Sequence, residues 1–401
     1  MKLITRRYYA DKLDAWIGKG QIIVLVGQRR VGKSYILKDF IERHKADSQV
    51  NLIYVNKERK QFDELRTHEQ LNAYIDAHLK PGLRNFILID EVQEIEGWEK
   101  SVRSYRLEDD IDIIVTGSNS KMLSGELSTL IGGRYQEIRV QSLSYNEFIS
   151  FHGLKDNDET LWKYLNYGGL PGLMQIGLDD DDLVWDYLRG VYHTVMFKDI
   201  VERNSIRNVS LLKTLLRYFA DTTGKLNSIN NICKYLKSGG LDVSIKSVTS
   251  YLGYFKDAYL LSSVERYDVH GKRLLESNEK VYFGDVGLRN LIAGGEREGD
   301  IEKVIETVVY QQLLRMGYKV SVGMLRAGEV DFVCTKPNER VYVQVAYLIA
   351  SPETEEREFG CLDNIKDNYP KYVISMTPMV KRSDRRGITH LSLREFLING
   401  F

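Results

Sequence analysis

Eight residues near the beginning of the chain have the types and the spacing of a loop that holds phosphate groups. Gly27 to Ser34 read Gly-Gln-Arg-Arg-Val-Gly-Lys-Ser and match the pattern G-x-x-x-x-G-K-[ST] in full. Glycines let backbone N–H groups turn toward phosphates, and a helix that starts there adds the positive end of its dipole. Lys33 would reach the β- and γ-phosphates, and Ser34 would bind Mg²⁺. The alternative is a chance Gly-rich turn in front of a helix.

The residues around this loop have the context that the motif requires. The β-branched run Ile22 to Val26 precedes it, and the helical stretch YILKDFIERH follows it. The sequence therefore predicts ATP and Mg²⁺ as ligands. The predicted nucleotide contacts are the loop residues and the residue after them: Gly27, Gln28, Arg29, Arg30, Val31, Gly32, Lys33, Ser34 and Tyr35.

An acidic pair, Asp90 and Glu91, follows the apolar run Phe-Ile-Leu-Ile. Asp90 would hold Mg²⁺ through its water, and Glu91 would orient and polarise the water that attacks the γ-phosphate. A solvated acidic pair after a buried strand is the alternative interpretation. The pair lies on the third predicted strand, so we expect one strand to lie between it and the phosphate loop.

Two further polar positions have candidate roles in hydrolysis. Asn119 follows the fourth predicted strand and is our candidate for the group that contacts the γ-phosphate, with Thr116 and Ser118 as alternatives. The same residue types also suit a plain strand-to-helix turn and cap. Arg134 opens the fifth strand and is a candidate arginine finger on a neighbouring subunit's ATP, or else an ordinary surface arginine.

Apolar runs and amphipathic stretches alternate through the first 150 residues, which predicts an α/β fold with a covered parallel sheet. The predicted strands are 22–26, 51–56, 86–90, 111–116 and 135–140. The predicted helices lie near 33–45, 67–79, 97–107 and 120–131.

The second half of the chain predicts a helical module and then a further α/β unit. Two helices near 228–237 and 244–259, with Ser244 as N-cap, and strands at 260–267 and 273–283 suggest a winged helix-turn-helix. A helix at 302–316 and four more strands follow, at 318–322, 329–334, 341–347 and 371–375. We predict four domains: an ATPase domain 1–153, a helical lid 154–205, a winged helix 206–290 and a last α/β domain 291–401.

Charge gives only a local indication of a partner. The chain has 56 basic residues (Lys and Arg) and 56 acidic ones (Asp and Glu). This balance gives no evidence for or against binding to nucleic acid. Residues 205 to 290 include thirteen basic and eight acidic residues, a local excess of positive charge. Lys246 on the second helix and Arg266, Lys272 and Arg273 on the wing would meet DNA phosphates. A winged helix that packs against protein is the open alternative.

The composition also favours a cytoplasmic protein without a membrane partner. The three cysteines are scattered and have no pairing or metal spacing, as expected in a reducing compartment. The beginning of the chain has no apolar core of signal-peptide length, and its longest apolar runs are strand-sized.

Taken with these motifs, the chain resembles a family of prokaryotic AAA-type ATPases that carry a C-terminal domain of unknown function with a restriction-endonuclease-like core. The additional strand before the acidic pair is typical of their branch. The resemblance covers nearly the full length, and it implies ATP hydrolysis coupled to an unsettled output. It rests on GQRRVGKS at 27–34, LIDEVQ at 88–93, TGSNS at 116–120, GGRYQEI at 132–138, LSYNEF at 143–148, YGGLPG at 167–172, KDIVER at 198–203, RYDVHGKRLL at 266–275, YFGDVGLRN at 282–290, EVDFV at 329–333 and YVQVAY at 342–347.

The endonuclease-like resemblance allows a nuclease site to be tested against the residues. Such a site needs acidic groups and a lysine that converge on Mg²⁺ and the scissile phosphate. Glu306 on a helix, Asp331 on a strand and Gln344 on the next strand occupy the acidic positions, but Ala346 stands where the lysine belongs. Arg326 or Lys336 would have to replace it. We therefore expect a vestigial site that binds rather than cuts.

These observations leave three functions open. The first is a Mg²⁺-dependent ATPase whose nucleotide state rearranges the winged-helix and nuclease-like modules, with DNA as the favoured target. The second is a regulatory switch or scaffold that binds ATP and recognises protein, with little turnover. The third is ATP-licensed DNA cleavage. An arginine finger would also require a homo-oligomer.

Overall fold

The chain is divided into two units, and each has its own β-sheet. The computed structural model describes residues 3–120, 133–295, 298–326, 328–378 and 382–401. The first unit comprises Met1–Gln141 with Asp257–Tyr259, and the second comprises Ser142–Lys256 with Leu260–Phe401.

A five-stranded parallel sheet forms the centre of the first unit, as predicted. Its strand order is β2-β3-β4-β1-β5. Every residue of β1 is buried, because parallel strands covered on both faces need apolar side chains on both sides. Strand β4 lies between β1 and β3, which confirms the expected extra strand between the phosphate loop and the acidic pair. The strands are β1 (Ile22–Val26), β2 (Val50–Asn56), β3 (Arg84–Asp90), β4 (Ile111–Gly117) and β5 (Tyr135–Arg139).

Four described helices flank this sheet: α1 (Arg7–Trp16), α2 (Lys33–His44), α3 (His68–Asp76) and α4 (Trp98–Tyr105). Helix α3 begins at a capping box in which Thr67 and Gln70 satisfy each other's backbone N–H groups. Helix α1 was not predicted from the sequence. Apart from Ser120, the helix predicted at 120–131 and the motif residue Gly132 lie outside the described residues.

The second unit contains a mixed sheet of nine strands in the order β13-β14-β12-β11-β10-β9-β7-β8-β6. Its strands are β6 (Leu226–Asn227), β7 (Leu261–Asp268), β8 (Arg273–Phe283), β9 (Lys319–Leu325), β10 (Gly328–Lys336), β11 (Glu339–Ala346), β12 (Lys371–Ser375), β13 (Ser383–Arg385) and β14 (Ile388–Ser392). The last two strands were not predicted, whereas β8 and β12 have the predicted bounds.

The helices of this unit include both members of the predicted helix pair. Ser244 caps the second of them, since its Oγ accepts a hydrogen bond of 3.0 Å from the N–H of Ser247. The helices are α5 (Tyr145–His152), α6 (Asp158–Tyr167), α7 (Leu173–Ile176), α8 (Asp181–Thr194) with a π-helical continuation (Val195–Glu202), α9 (Val209–Asp221), α10 (Ile229–Ser238), α11 (Ile245–Asp257), α12 (Val286–Ala293), α13 (Ile301–Arg315), α14 (Pro352–Asp363) and α15 (Leu393–Asn399).

Strands β7 and β8 form an antiparallel ribbon, as expected for a wing. Strand β7 also pairs in parallel with β9, where Arg266 lies opposite Val322, so the ribbon is part of the large sheet. The division into four domains remains a prediction. Within the described ranges, none of the helices has the length and apolar character needed to cross a bilayer.

Candidate functional site

The loop between β1 and α2 adopts a conformation that its glycines make possible. Gly27 has a φ of 148° and Gly32 a φ of 100°. A Cβ atom on Gly27 would lie 2.2 Å from the carbonyl oxygen of Val140, so no other residue fits there. Arg30 also has a left-handed backbone, with a φ of 72°. The motif is therefore folded into a tight turn at the C-terminal edge of the sheet.

This loop wraps around the ammonium group of Lys33. The side chain is 4% exposed, and its Nζ donates hydrogen bonds to the carbonyl oxygens of Gly27 (2.9 Å) and Gln28 (3.1 Å). Lys33 is also the first residue of α2, so its charge lies at the positive end of the helix dipole. Both features favour an anion at the loop.

Asp90, at the end of β3, is buried among neutral hydrogen-bond donors. Its Oδ1 accepts bonds from the hydroxyls of Thr116 (2.6 Å) and Ser34 (3.1 Å). Its Oδ2 accepts bonds from the amide of Asn56 (3.1 Å) and the hydroxyl of Tyr54 (3.3 Å). Burial raises the pKa of Asp90, and the bonds from Thr116 and Ser34 oppose that rise. The two predicted magnesium ligands, Ser34 and Asp90, thus lie together, and their hydroxyl and carboxylate oxygens suit Mg²⁺.

Glu91 occupies a strained backbone position beside Asp90. Its φ of 56° lies in the left-handed region, which costs a non-glycine residue roughly 1 kcal/mol. Its N–H donates a hydrogen bond of 2.9 Å to the hydroxyl of Thr116, and its carboxylate accepts one from the side chain of Gln93. Such strain is found preferentially at functional sites.

The three candidate sensor residues at the end of β4 have different surroundings. The Thr116 hydroxyl donates to Asp90 and accepts from the N–H of Glu91, so this residue positions the acidic pair. Asn119 is 5% exposed, and its role remains a prediction. The Oγ of Ser118 is buried and has no hydrogen-bond partner within the described ranges.

Gln28 is a second buried polar side chain of this kind. It is 2% exposed, and neither its Oε1 nor its Nε2 has a partner among the residues that the structure describes. Gln28 follows β1 and Ser118 follows β4, which are neighbouring strands with Val26 opposite Gly117. Buried polar groups nearly always have a partner, so these two are candidates for contact with a ligand or water.

Of the other predicted contacts, Val31 is buried, whereas Arg29, Arg30 and Tyr35 lie toward the surface. Arg29 forms an ion pair of 3.9 Å with Glu58. Arg30 is exposed, and Tyr35 is 43% exposed, with the Lys38 ammonium 4.7 Å from the centre of its ring.

Sequence reasoning missed Arg6, which holds the phosphate loop from the beginning of α1. The guanidinium is buried, and its Nη1 donates to the carbonyl oxygens of Val31 (3.0 Å) and Gln141 (2.9 Å). Arg6 thereby ties the loop to the residues after β5. An arginine 21 residues before the motif has no spacing that would have indicated this role.

Arg134 lies at the opposite edge of the sheet from the phosphate loop. Strand β5 starts at Tyr135, which is paired with Ile22 at the start of β1, whereas Gly27 follows the end of β1. At 3.3 Å per residue, the two sites are separated by roughly 20 Å, which exceeds the reach of an arginine side chain. Arg134 is exposed. Burial lowers the pKa of Arg106, and the positive charge of Arg134 lowers it further. Arg134 cannot act on its own subunit's nucleotide.

The three residues of the candidate nuclease site lie close together, around a lysine that the sequence did not indicate. Lys280, on β8, forms ion pairs with Glu306 on α13 (3.0 Å) and with Asp331 (3.1 Å) and Glu329 (2.9 Å) on β10. Gln344 on β11 accepts a hydrogen bond of 3.2 Å from the N–H of Asp331. We call Lys280, Glu306, Glu329 and Asp331 the buried ion cluster.

Neither replacement lysine or arginine that we considered from the sequence belongs to this cluster. Arg326 is exposed, and Lys336 has its Nζ 3.8 Å from Glu339 and 3.9 Å from the ring centre of Tyr318. Both were wrong candidates for the cluster's cation. Lys280 is supplied by another strand, outside the motif altogether.

Comparisons with known proteins identify the first third of the chain. Residues 19–149 match the family model described as an AAA domain, and residues 158–298 match a domain of unknown function. An uncharacterized protein of Haemophilus influenzae is 33% identical over 93% of this chain and 93% of its own. An uncharacterized protein of Methanocaldococcus jannaschii is 30% identical over 86% of this chain and 79% of its own.

A solved structure shows the same fold. The Walker-type ATPase of Pyrococcus abyssi superposes with a TM-score of 0.51 at 16% identity and covers 73% of this chain and 96% of its own. At this identity the likeness supports the architecture alone.

Proposed function

We propose that this chain, which belongs to a family of prokaryotic AAA-type P-loop ATPases, hydrolyses ATP with Mg²⁺ and uses the change in its nucleotide site to rearrange its second half on DNA. The observation that carries the proposal is the hydrogen bond of 3.1 Å between Ser34 and Asp90, beside the loop that encloses Lys33. A lysine, a hydroxyl and a buried carboxylate at one sheet edge are the groups that phosphoryl transfer needs.

Each residue of this site has a distinct task in hydrolysis. Lys33 would bind the terminal phosphates, and Ser34 and Asp90 would hold Mg²⁺, which would neutralise the charge that develops on the phosphates. Glu91 orients the attacking water and accepts its proton. Thr116 keeps the two acids in place through its two hydrogen bonds. Gln28, Ser118 and Asn119 supply polar contacts to the γ-phosphate or the water.

The position of Arg134 supports hydrolysis in a homo-oligomer. Because this residue lies at the far edge of its own sheet, its guanidinium would act on ATP bound by a neighbouring copy. An arginine supplied in this way stabilises the charge of the transition state.

DNA is the target that the surface of residues 209–283 favours. Helices α9 to α11 and the β7–β8 ribbon follow the order of a winged helix, which is our interpretation of this segment. The interpretation places Ser244 and Lys246 at the start of a recognition helix and Lys272 and Arg273 on the wing. The exposed basic residues of the segment include Lys225, Lys234, Lys237, Lys246, Lys272 and Arg273.

Replacement of Glu91 by Gln tests the ATPase proposal. We expect turnover to fall by about 10³-fold because the water loses its proton acceptor, while binding of a fluorescent ATP analogue is retained. Glu94→Gln, which removes an exposed carboxylate three residues away, is the matched control and should leave turnover unchanged. A negligible wild-type rate that Glu91→Gln does not alter would instead indicate a nucleotide-dependent switch for a protein partner.

A further inference from the structure

The buried ion cluster of the second unit contains two of the residues that the sequence resemblance assigns to the metal site of an endonuclease-like domain. Its residues come from three elements, β8, α13 and β10, and two of them are the predicted acidic residues Glu306 and Asp331. The cluster belongs to the second unit, whereas the candidate nucleotide site belongs to the first.

Lys280 fills the centre of this cluster with its ammonium group. The side chain is 2% exposed, and carboxylate oxygens of Glu306, Glu329 and Asp331 lie 2.9 to 3.1 Å from its Nζ. An ammonium has three N–H donors and no acceptor. Three carboxylate partners therefore use its full donor capacity.

Further hydrogen bonds hold Glu306, Asp331 and Gln344. Glu306 Oε1 accepts a second hydrogen bond, of 2.5 Å, from the hydroxyl of Tyr282. Asp331 Oδ2 accepts one of 3.0 Å from the N–H of Val345. Gln344, the third predicted ligand, accepts from Asp331 with its Oε1 and donates from its Nε2 to Glu358 at 2.9 Å. These contacts hold the acidic groups in place without a metal ion.

The electrostatics keep the lysine charged. Burial alone lowers the pKa of Lys280, but the charges of Asp331, Glu306 and Glu329 outweigh it and raise that pKa above its ordinary value. A metal ion would bind the same carboxylate oxygens at about 2.1 to 2.5 Å and would repel the ammonium at contact distance. Because the Lys280 ammonium occupies the point at which the three carboxylates converge, a metal ion could bind these oxygens only if the ammonium moved away.

Solvent has access to the edge of the cluster. The Glu329 side chain is 37% exposed. A cleft of about 680 Å³ is lined by Glu329 and Gln344 on one side and by Arg357, Lys366 and Arg386 among others. Ions from solvent can therefore reach the edge of the cluster. Within the described ranges, no group of three or more acidic, histidine or cysteine side chains has the arrangement of a metal site.

We propose that the ammonium of Lys280 permanently takes the place of the divalent cation in the endonuclease-like unit, so that this unit folds and works without a metal ion. The acidic residues of the nuclease motif then serve to bind a lysine from a neighbouring strand. Hydrolysis of a phosphodiester bond at this cluster, which would need the metal ion, does not occur.

Titration with Mn²⁺ tests this proposal, and all variants carry Asp90→Asn so that the nucleotide site does not contribute. The protein with an unaltered cluster should show no saturable Mn²⁺ site by electron paramagnetic resonance. Its Tm should not change when Mn²⁺ is added. Lys280→Met removes the charge and keeps the length of the side chain. We expect it to gain one Mn²⁺ site per chain and a rise in Tm of at least ~3 °C with saturating Mn²⁺.

Asp331→Asn provides the control in both backgrounds. Added to Lys280→Met, it should abolish the acquired site; added to the wild-type cluster, it should change nothing in the titration. Saturable Mn²⁺ binding that needs Asp331 while Lys280 is present would overturn the proposal. A folded Lys280→Met variant that acquires no Mn²⁺ would do the same. If Lys280→Met does not fold, the comparison of Lys280-containing proteins with and without Asp331→Asn still decides the question.

Discussion

Asp90 in the first unit and Asp331 in the second are both buried carboxylates on strands of a sheet, but they have opposite kinds of partner. Across the described ranges, the carboxylate of Asp90 accepts hydrogen bonds from three hydroxyls and one side-chain amide, all of them neutral. Asp331 instead forms an ion pair of 3.1 Å with the ammonium of Lys280. Neutral donors stabilise a charge without offsetting it, whereas the ammonium of Lys280 offsets part of the negative charge of the three carboxylates that share it.

This difference in partners indicates whether each site needs a cation from outside the chain. Burial raises the pKa of Asp90, which is the cost of keeping an uncompensated charge in the interior. A divalent cation would remove that cost, so the first site is prepared for a ligand. In the second unit the chain supplies its own cation. Removing one partner of such a buried ion pair strongly destabilises the folded protein, because the other charge is left uncompensated.

Arg134 offers the sharpest way to test whether the first site needs a further cation from outside its own chain. Arg134→Ala should lower turnover by about 10²- to 10³-fold and leave ATP binding intact, because the missing charge acts only in the transition state. Lys19→Ala, which removes an exposed cation of the first unit close to β1, is the control and should be silent.

Mixing variants separates action between subunits from a structural defect. Lys33→Ala has an inactive nucleotide site but an intact Arg134, and Arg134→Ala has the reverse. A mixture of the two should recover activity above either variant alone. No recovery in hetero-oligomers shown to form would refute the finger.

A smaller effect is expected for DNA binding, which depends on surface charge in the second unit and not on its buried ion cluster. Lys246→Ala with Lys272→Ala should weaken binding of duplex DNA by about 3- to 10-fold and should reduce the slope of log K against log salt by about 2. Lys198→Ala, an exposed cation outside the 209–283 segment, is the control.

The same measurement distinguishes DNA binding by the surface lysines from DNA binding that depends on the buried ion cluster. Binding should be unchanged in Asp331→Asn and should not require Mg²⁺. Equal affinity of the wild type and the double variant would remove the winged-helix interpretation and favour a protein partner for this segment.

The extent to which the two sites could be predicted from sequence follows from how their residues are distributed along the chain. The phosphate loop is contiguous, and Asp90 and Thr116 come at the ends of strands whose apolar runs are easy to recognise. The rule that parallel strands present their C-terminal ends at one edge then brings these residues together. The five strands of the first unit were predicted for the same reason.

Arg6 and Lys280 could not be found in this way, because each acts over a long sequence separation. Lys280 lies 26 residues from Glu306 and 51 from Asp331, and its strand reads Glu-Lys-Val-Tyr-Phe, in which a lysine gives no indication that it is buried. The motif itself was misleading, because Ala346 stands at the lysine position and the replacements that we named, Arg326 and Lys336, did not include Lys280. Strands β13 and β14 are short, and helix α1 precedes any recognisable motif.

The most direct test of this contrast is the number of Mn²⁺ ions that the wild-type chain binds with a non-hydrolysable ATP analogue, measured by electron paramagnetic resonance. We predict one Mn²⁺ per chain, lost in Asp90→Asn and retained in Asp331→Asn. Two ions per chain, or a single ion that Asp331→Asn removes and Asp90→Asn does not, would contradict it.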